Sequence, residues 1–111
     1  MKALFKCRVC GYVHEGEAPP SNCPKCGAPA EKFTRLDDET AQKIYDSDRT
    51  NDIEMEIIAL ASRISVLCAE GLEIGLDPAC IDAFRKARDE SWVIKQRFKA
   101  ELATHMNKGK W

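Results

Sequence analysis

Cys7-Arg8-Val9-Cys10-Gly11-Tyr12 and, after a short gap, Cys23-Pro24-Lys25-Cys26-Gly27 decide how the amino-terminal third of this chain folds. Each stretch sets two cysteines three positions apart with a glycine straight after the second. That spacing makes a chelating turn whose thiolates converge, and two such turns supply four sulfurs. Four thiolates suit a tetrahedral centre of borderline softness, either zinc or an iron–sulfur type site, and the ligands alone do not choose between them. Gly11 and Gly27 are expected at positive φ, so that each turn folds back and points backbone N–H groups at sulfur. Two disulfides, or four plain buried thiols, are the rival readings. Doubled Cys-x-x-Cys spacing is specific enough to set both below metal binding.

The neighbouring residues narrow the reading. Cys7-x-x-Cys10-Gly11-Tyr12-Val13-His14-Glu15-Gly16, then Ala18-Pro19-Pro20, then Cys23-Pro24-x-Cys26-Gly27-Ala28-Pro29 and Phe33, resemble the short rubredoxin-type module of rubrerythrins. The resemblance covers about the first third of the chain, and its Gly-Tyr-x-His-Glu-Gly run is more diagnostic than the cysteines. It implies one iron, without inorganic sulfide, held by Cys7, Cys10, Cys23 and Cys26 and cycling between ferrous and ferric states. It also implies that Cys10 and Cys26 lie nearest the surface and form the edge where electrons leave.

Composition sets wider limits. With 111 residues the chain has room for one domain or two very small ones. A net charge of −1, with 32% charged and 44% hydrophobic residues, gives no global field toward nucleic acid or membrane. The start, Met1 to Lys6, has no long apolar run, so neither a signal peptide nor a membrane span is expected, and the expected location is cytoplasmic. Six cysteines with two close pairs also suit a reducing compartment. Charge is uneven along the chain: residues 36 to 78 hold three Lys/Arg against eleven Asp/Glu, and residues 79 to 111 hold eight against four. Those two stretches can attract each other as neighbouring helices.

The organisation expected is a small α+β chain: a rubredoxin-like metal knuckle module over residues 1–36, then a long antiparallel helical hairpin over residues 37–111. In the module, Leu4-Phe5-Lys6 and Phe33-Thr34-Arg35 read as short strands, with Phe5, Tyr12 and Phe33 packed around the site. A unit below roughly 40 residues seldom holds together on an apolar core alone, so the metal is expected to do so. His14 stands four residues beyond Cys10, but four sulfurs already complete a tetrahedron, and it reads as a hydrogen-bonding or surface residue.

A first helical stretch is expected from about Asp38 to Asp46. The polar run Asp46 to Asp52 follows as a candidate break, with Asn51 and Glu54 in a capping-box pattern. From Ile53 the residues Ile53, Ile57, Leu60, Ile64, Leu67, Gly71 and Ile74 follow steps of four and three, widened by Ile58, Ala61 and Cys68. Gly75-Leu76-Asp77-Pro78 closes this helix and opens the next, which presents Cys80, Phe84, Ala87, Ser91, Ile94 and Phe98 and runs to about Asn107. Helices of roughly 24 and 30 residues would be about 36 and 45 Å long. A lone hairpin of that length leaves half of each stripe wet, so two chains are expected to pair into an antiparallel four-helix bundle. Cys68 and Cys80 stand too far apart along the hairpin axis to bridge and read as core residues.

Rubrerythrin-like proteins also carry a di-iron bundle that needs Glu-x-x-His motifs, and this chain has none. A dimer-built metal site from Glu101 and His105 is one reading, and a frayed helix end is the plainer one. Ser62, Ser65 and Ser91 read as helix spacers, and no catalytic residue is assigned.

The leading expectation is thus a small iron-binding electron carrier whose helices form a homodimer or dock on a redox partner protein. Lys6, Arg8 and Lys25 would steer an acidic partner to the exposed edge. The alternative is a structural zinc ribbon with a helical interaction domain. Peroxide turnover would need a cryptic site in the dimer.

Overall fold

The computed structural model describes every residue from Met1 to Trp111. Three short strands, β1 (Ala3–Cys7), β2 (Val13–Gly16) and β3 (Phe33–Arg35), precede two long helices, α1 (Asp38–Ile74) and α2 (Pro78–Asn107). Two compact units divide the chain, Met1–Asp46 and Ser47–Trp111.

In the first unit β1 is the central strand of an antiparallel sheet ordered β2-β1-β3. Phe5 pairs with His14 on one side and Arg35 on the other. Leu4, Phe5 and Cys7 are buried along β1, and Cys23 and Ala41 complete this small interior. The sheet therefore ends on Cys7, which places the first sulfur at the edge of the core. β2 was not anticipated, because Val13-His14-Glu15-Gly16 is four residues long and carries one apolar side chain.

Asp37 begins α1, its Oδ1 accepting from the Thr40 N–H at 2.7 Å. That N–H holds the Asp37 carboxyl below the usual carboxylate range. Tyr45, two turns along, ties the helix to the sheet. Its hydroxyl lies 2.6 Å from Glu15 Oε2 and 3.0 Å from the Lys2 carbonyl oxygen, and it donates to one acceptor at a time. The Glu15 contact, with burial, pushes the Tyr45 phenol up to about 12.

Of the two possibilities left open at Asp46 to Asp52, a break or one continuous helix, the second holds: α1 runs 37 residues without interruption. The run contains no glycine or proline to interrupt the helix. Gln42 Nε2 donates to Asp46 Oδ1 at 2.7 Å, and Asn51 Nδ2 donates to the Lys110 carbonyl at 2.7 Å. Asn51 is thus a buried tertiary contact and not a cap.

In the second unit the two helices pack side by side. Asp77 caps α2, accepting from the Cys80 N–H at 2.8 Å, with Pro78 in the first turn. The seam on α1 is Asn51, Glu54, Ile58, Ala61, Ser65, Cys68, Gly71 and Leu72, of which Ile58, Ser65 and Leu72 are half-buried. On α2 the most buried residues are Ser91, Leu102 and His105. Ser65 and Ser91 are not mere spacers, since their hydroxyls meet across the seam at 2.7 Å and Ser91 donates to the Arg88 carbonyl. Gly71 seats the Phe84 ring, where a Cβ would fall 2.3 Å from the ring edge. Cys68 is buried as expected and Cys80 half-buried, both as free thiols.

The apolar row read from the sequence lies mostly outside this seam. Ile53, Leu60, Ile64, Leu67 and Ile74 are exposed, Leu60 by 58% and Ile74 by 71%. At about 100° per residue that row stands roughly a third of a turn from the seam. Periodicity marks a face that favours burial, while a single hairpin has only one seam to offer. His105, read as part of a fraying end, is instead buried in the last turn of α2.

Candidate metal centre

Each pair of cysteines is positioned by the same local device. The Gly11 N–H donates to the Cys7 carbonyl and the Gly27 N–H to the Cys23 carbonyl, both at 2.9 Å. Both glycines stand at positive φ, 84° and 79°, as the turn requires. Backbone bonds close each loop, Cys7 N–H to the Tyr12 carbonyl and Cys23 N–H to the Ala28 carbonyl, and the Arg8 N–H ties the first loop to the Lys32 carbonyl.

Arg8 adds a brace that spacing did not reveal. Its guanidinium donates to the Lys32 carbonyl at 3.2 Å and to the Glu31 carbonyl at 2.6 Å. It grips the turn Ala30–Lys32 that leads into β3. His14 lies on β2, its ring centroid 6.4 Å from that of Tyr12.

The four predicted residues do meet. The Sγ atoms of Cys7, Cys10, Cys23 and Cys26 all lie within 4.8 Å of one another. Across the two turns Cys7 Sγ lies 3.7 Å from Cys26 Sγ and Cys10 Sγ 3.6 Å from Cys23 Sγ. A tetrahedral thiolate centre with metal–sulfur bonds of about 2.3 Å spaces its sulfurs by about 3.8 Å. These four cysteines are therefore positioned to bind one metal ion. Cys7 and Cys23 are buried, Cys10 is half-buried and Cys26 is exposed, so the second cysteine of each pair faces solvent as the resemblance implied.

The local field prepares some of these sulfurs and not others. Burial pushes the Cys23 thiol up, but the N–H groups of Cys26 and Lys25 and the Cys10 thiol outweigh it and hold it at about 6. Cys7 is likewise lowered, burial being outweighed by the N–H groups of Cys10 and Val9. Cys26 goes the other way. The Ala28 N–H favours its thiolate, but burial and the neighbouring Cys10, Cys23 and Cys7 sulfurs together push it up to about 12. Four thiolates this close repel one another, and a cation supplies the charge that lets the last of them ionise.

Residues 5–34 match the rubrerythrin rubredoxin-like domain. This rubredoxin-like domain is 54% identical over 35 residues to reverse rubrerythrin-1 of Clostridium acetobutylicum, an alignment covering 32% of this chain and 19% of that protein. It is 50% identical over 32 residues to rubrerythrin of Nitratidesulfovibrio vulgaris, covering 29% of this chain and 17% of that protein. The chain thus spans less than a fifth of the length of these relatives, 19% and 17%. No solved structure matches it. Beyond the rubredoxin-like domain the helices carry no Glu-x-x-His. No helix is long and apolar enough to cross a membrane.

Proposed function

We propose that this protein is a one-electron carrier of the cytoplasm, with a single iron held by Cys7, Cys10, Cys23 and Cys26. The observation that carries the reading is the convergence of four Sγ atoms within 4.8 Å on a rubredoxin-like domain. Iron in such a cage supplies a ferrous/ferric couple. The chain's part is to hold all four sulfurs in one geometry for both charge states, through the paired turns and the N–H groups of Val9, Cys10, Lys25, Cys26 and Ala28. Cys10 and Cys26 face solvent and form the edge toward a redox partner protein. Lys6, Arg8 and Lys25, all exposed, attract an acidic partner there, Arg8 also bracing the turn before β3.

The helices are the assembly element of this reading. The exposed row Ile53, Leu60, Ile64, Leu67 and Ile74 supports pairing with a second copy into a four-helix bundle. In such a bundle each helix touches two neighbours, and the seam and the exposed row, a third of a turn apart, offer two faces.

Metal analysis and redox titration of protein purified from its native host test the proposal. One iron per chain, with a red ferric absorption that bleaches on reduction and returns on oxidation, is expected. Protein that holds zinc alone from its host is a structural ribbon, and the electron-carrier reading fails.

A further inference from the structure

A second convergence of ionisable side chains lies at the C-terminal end of α2. Both ring nitrogens of His105 face oxygen. Nδ1 lies 2.5 Å from Asn51 Oδ1 and 3.7 Å from Glu54 Oε2, and Nε2 lies 3.2 Å from Glu101 Oε1. Asn51 Nδ2 donates to the Lys110 carbonyl, so Oδ1 is the atom offered to the imidazole and Nδ1 carries the hydrogen. A neutral ring then keeps its lone pair on Nε2, the nitrogen beside Glu101.

Glu54 stands behind this ring with a problem of its own. It is only 4% exposed, and its Oε2 is buried with no hydrogen-bond partner. Leaving a buried acceptor unsatisfied costs about 1–3 kcal/mol, and more for a charge. Native interiors leave few such groups without a compensating ion or water.

We propose that Glu101 and His105 bind a divalent transition-metal cation through the carboxylate and Nε2, with Asn51 and Glu54 as the buried shell that orients the imidazole. The i, i+4 spacing sets both ligands on one face of α2. Their 3.2 Å separation is what two ligands about 2.0–2.1 Å from a tetrahedral ion leave between them, about 3.3 Å. An imidazole that ligates a metal donates its other N–H to a carbonyl or carboxylate, and here both wait at Nδ1. A cation on Nε2 draws electron density from the ring, strengthens the Nδ1–H donor and sets positive charge opposite the buried Glu54. Imidazole with carboxylate suits zinc, ferrous iron or manganese more than soft copper(I). The Glu101 side chain is 54% exposed, so the ion is reached from solvent and keeps coordination positions for water. This inference is independent of which metal fills the cysteine centre.

The test uses the full chain with zinc in the cysteine centre, titrated with Co(II) and followed by NMR of the two histidine rings and by visible absorption. His105 is expected to shift and broaden saturably while His14 does not, without the strong thiolate–cobalt absorption that marks exchange into the cysteines. Glu101→Gln, at an exposed position that leaves the fold intact, is expected to lower Co(II) affinity at least about tenfold. Glu54→Gln is expected to lower it about 10–100-fold, as loss of a supporting group does, while raising the thermal midpoint of the metal-free hairpin. The cluster is a purely structural ion triad, and the proposal is overturned, if His105 is unmoved at on the order of 1 mM Co(II). It is equally overturned if His14 responds in its place, or if either glutamine variant binds Co(II) as the parent does.

Discussion

Met1–Asp46 gathers its interior around sulfur, whereas Ser47–Trp111 closes on small and polar side chains and leaves larger apolar ones outside. In the first unit the buried hydrophobic positions are Leu4, Phe5, Cys7, Cys23 and Ala41, two of them metal-site cysteines. Backbone bonds around Cys7 and Cys23 supply much of the remaining order, and they fix a site more than they fill a core. In the second unit Ala61, Cys68, Gly71 and Ser91 are buried while Leu60, Ile64 and Leu67 are not. The first unit is complete once an ion is bound. The second has the makings of one side of a larger bundle.

Removing the metal should separate the two most sharply. Cys23→Ser removes a buried ligand, and structural thiolate sites are worth about 10–16 kcal/mol of apparent binding free energy. The dispersed NMR signals of β1 to β3 should collapse while helical circular dichroism at 222 nm stays within a small fraction of the parent's. A parallel loss of helix would show that the hairpin depends on the knuckle.

The outward row of α1 offers the next largest effect. Leu60→Lys places a charge where a symmetric pair would bury two leucines. At about 1.5 kcal/mol or more for each, the dimer dissociation constant should rise at least about 100-fold. Sedimentation across a concentration series reads this directly, and a parent chain that is monomeric throughout removes the bundle from the proposal.

Within the seam, Gly71→Ala should destabilise the hairpin by about 1–3 kcal/mol, because the added Cβ meets the Phe84 ring and overpacking outweighs alanine's helix preference. Urea unfolding measured by circular dichroism tests this. The same variant should leave metal binding by the cysteines unchanged.

The smallest effect concerns protons. Cys23 is lowered from 9.0 to about 6, so in the metal-free fold it is a thiolate at pH 7.5 while an unfolded cysteine is still a thiol. Its contribution to stability is therefore present at high pH and lost as pH falls through about 6. Cys26 is raised from 9.0 to about 12, stays protonated at pH 7.5, and its contribution is lost as pH rises from the lower of these values to the higher. Because the knuckle unfolds without its ion, the cysteines of the metal-free chain are thiols at pH 7.5, and zinc binding should release close to four protons per chain. Titration in weak buffer with an indicator dye counts them, and release of clearly fewer would show that the turns fold and ionise Cys23 before the metal arrives.

Much of the metal centre was legible because its information is local. Cys-x-x-Cys-Gly encodes a turn, and Gly11 and Gly27 take the positive φ that the spacing demands. A second role of Arg8 was missed for a related reason, since a surface cation looks the same in sequence whether or not it also grips the carbonyls of Glu31 and Lys32. Asn51 was misread too, because the partners that keep it from capping a helix, His105 and Lys110, lie more than fifty positions away.

The sequence alone determined the four ligands, the two helices and the turn between them, because short-range spacing and capping dictate those. Only the tertiary structure decided which row of α1 meets α2, that α1 runs on through Asn51, and that Glu54 and His105 share one buried corner. Periodicity states that a face favours burial, but what buries it depends on side chains brought together from distant parts of the chain.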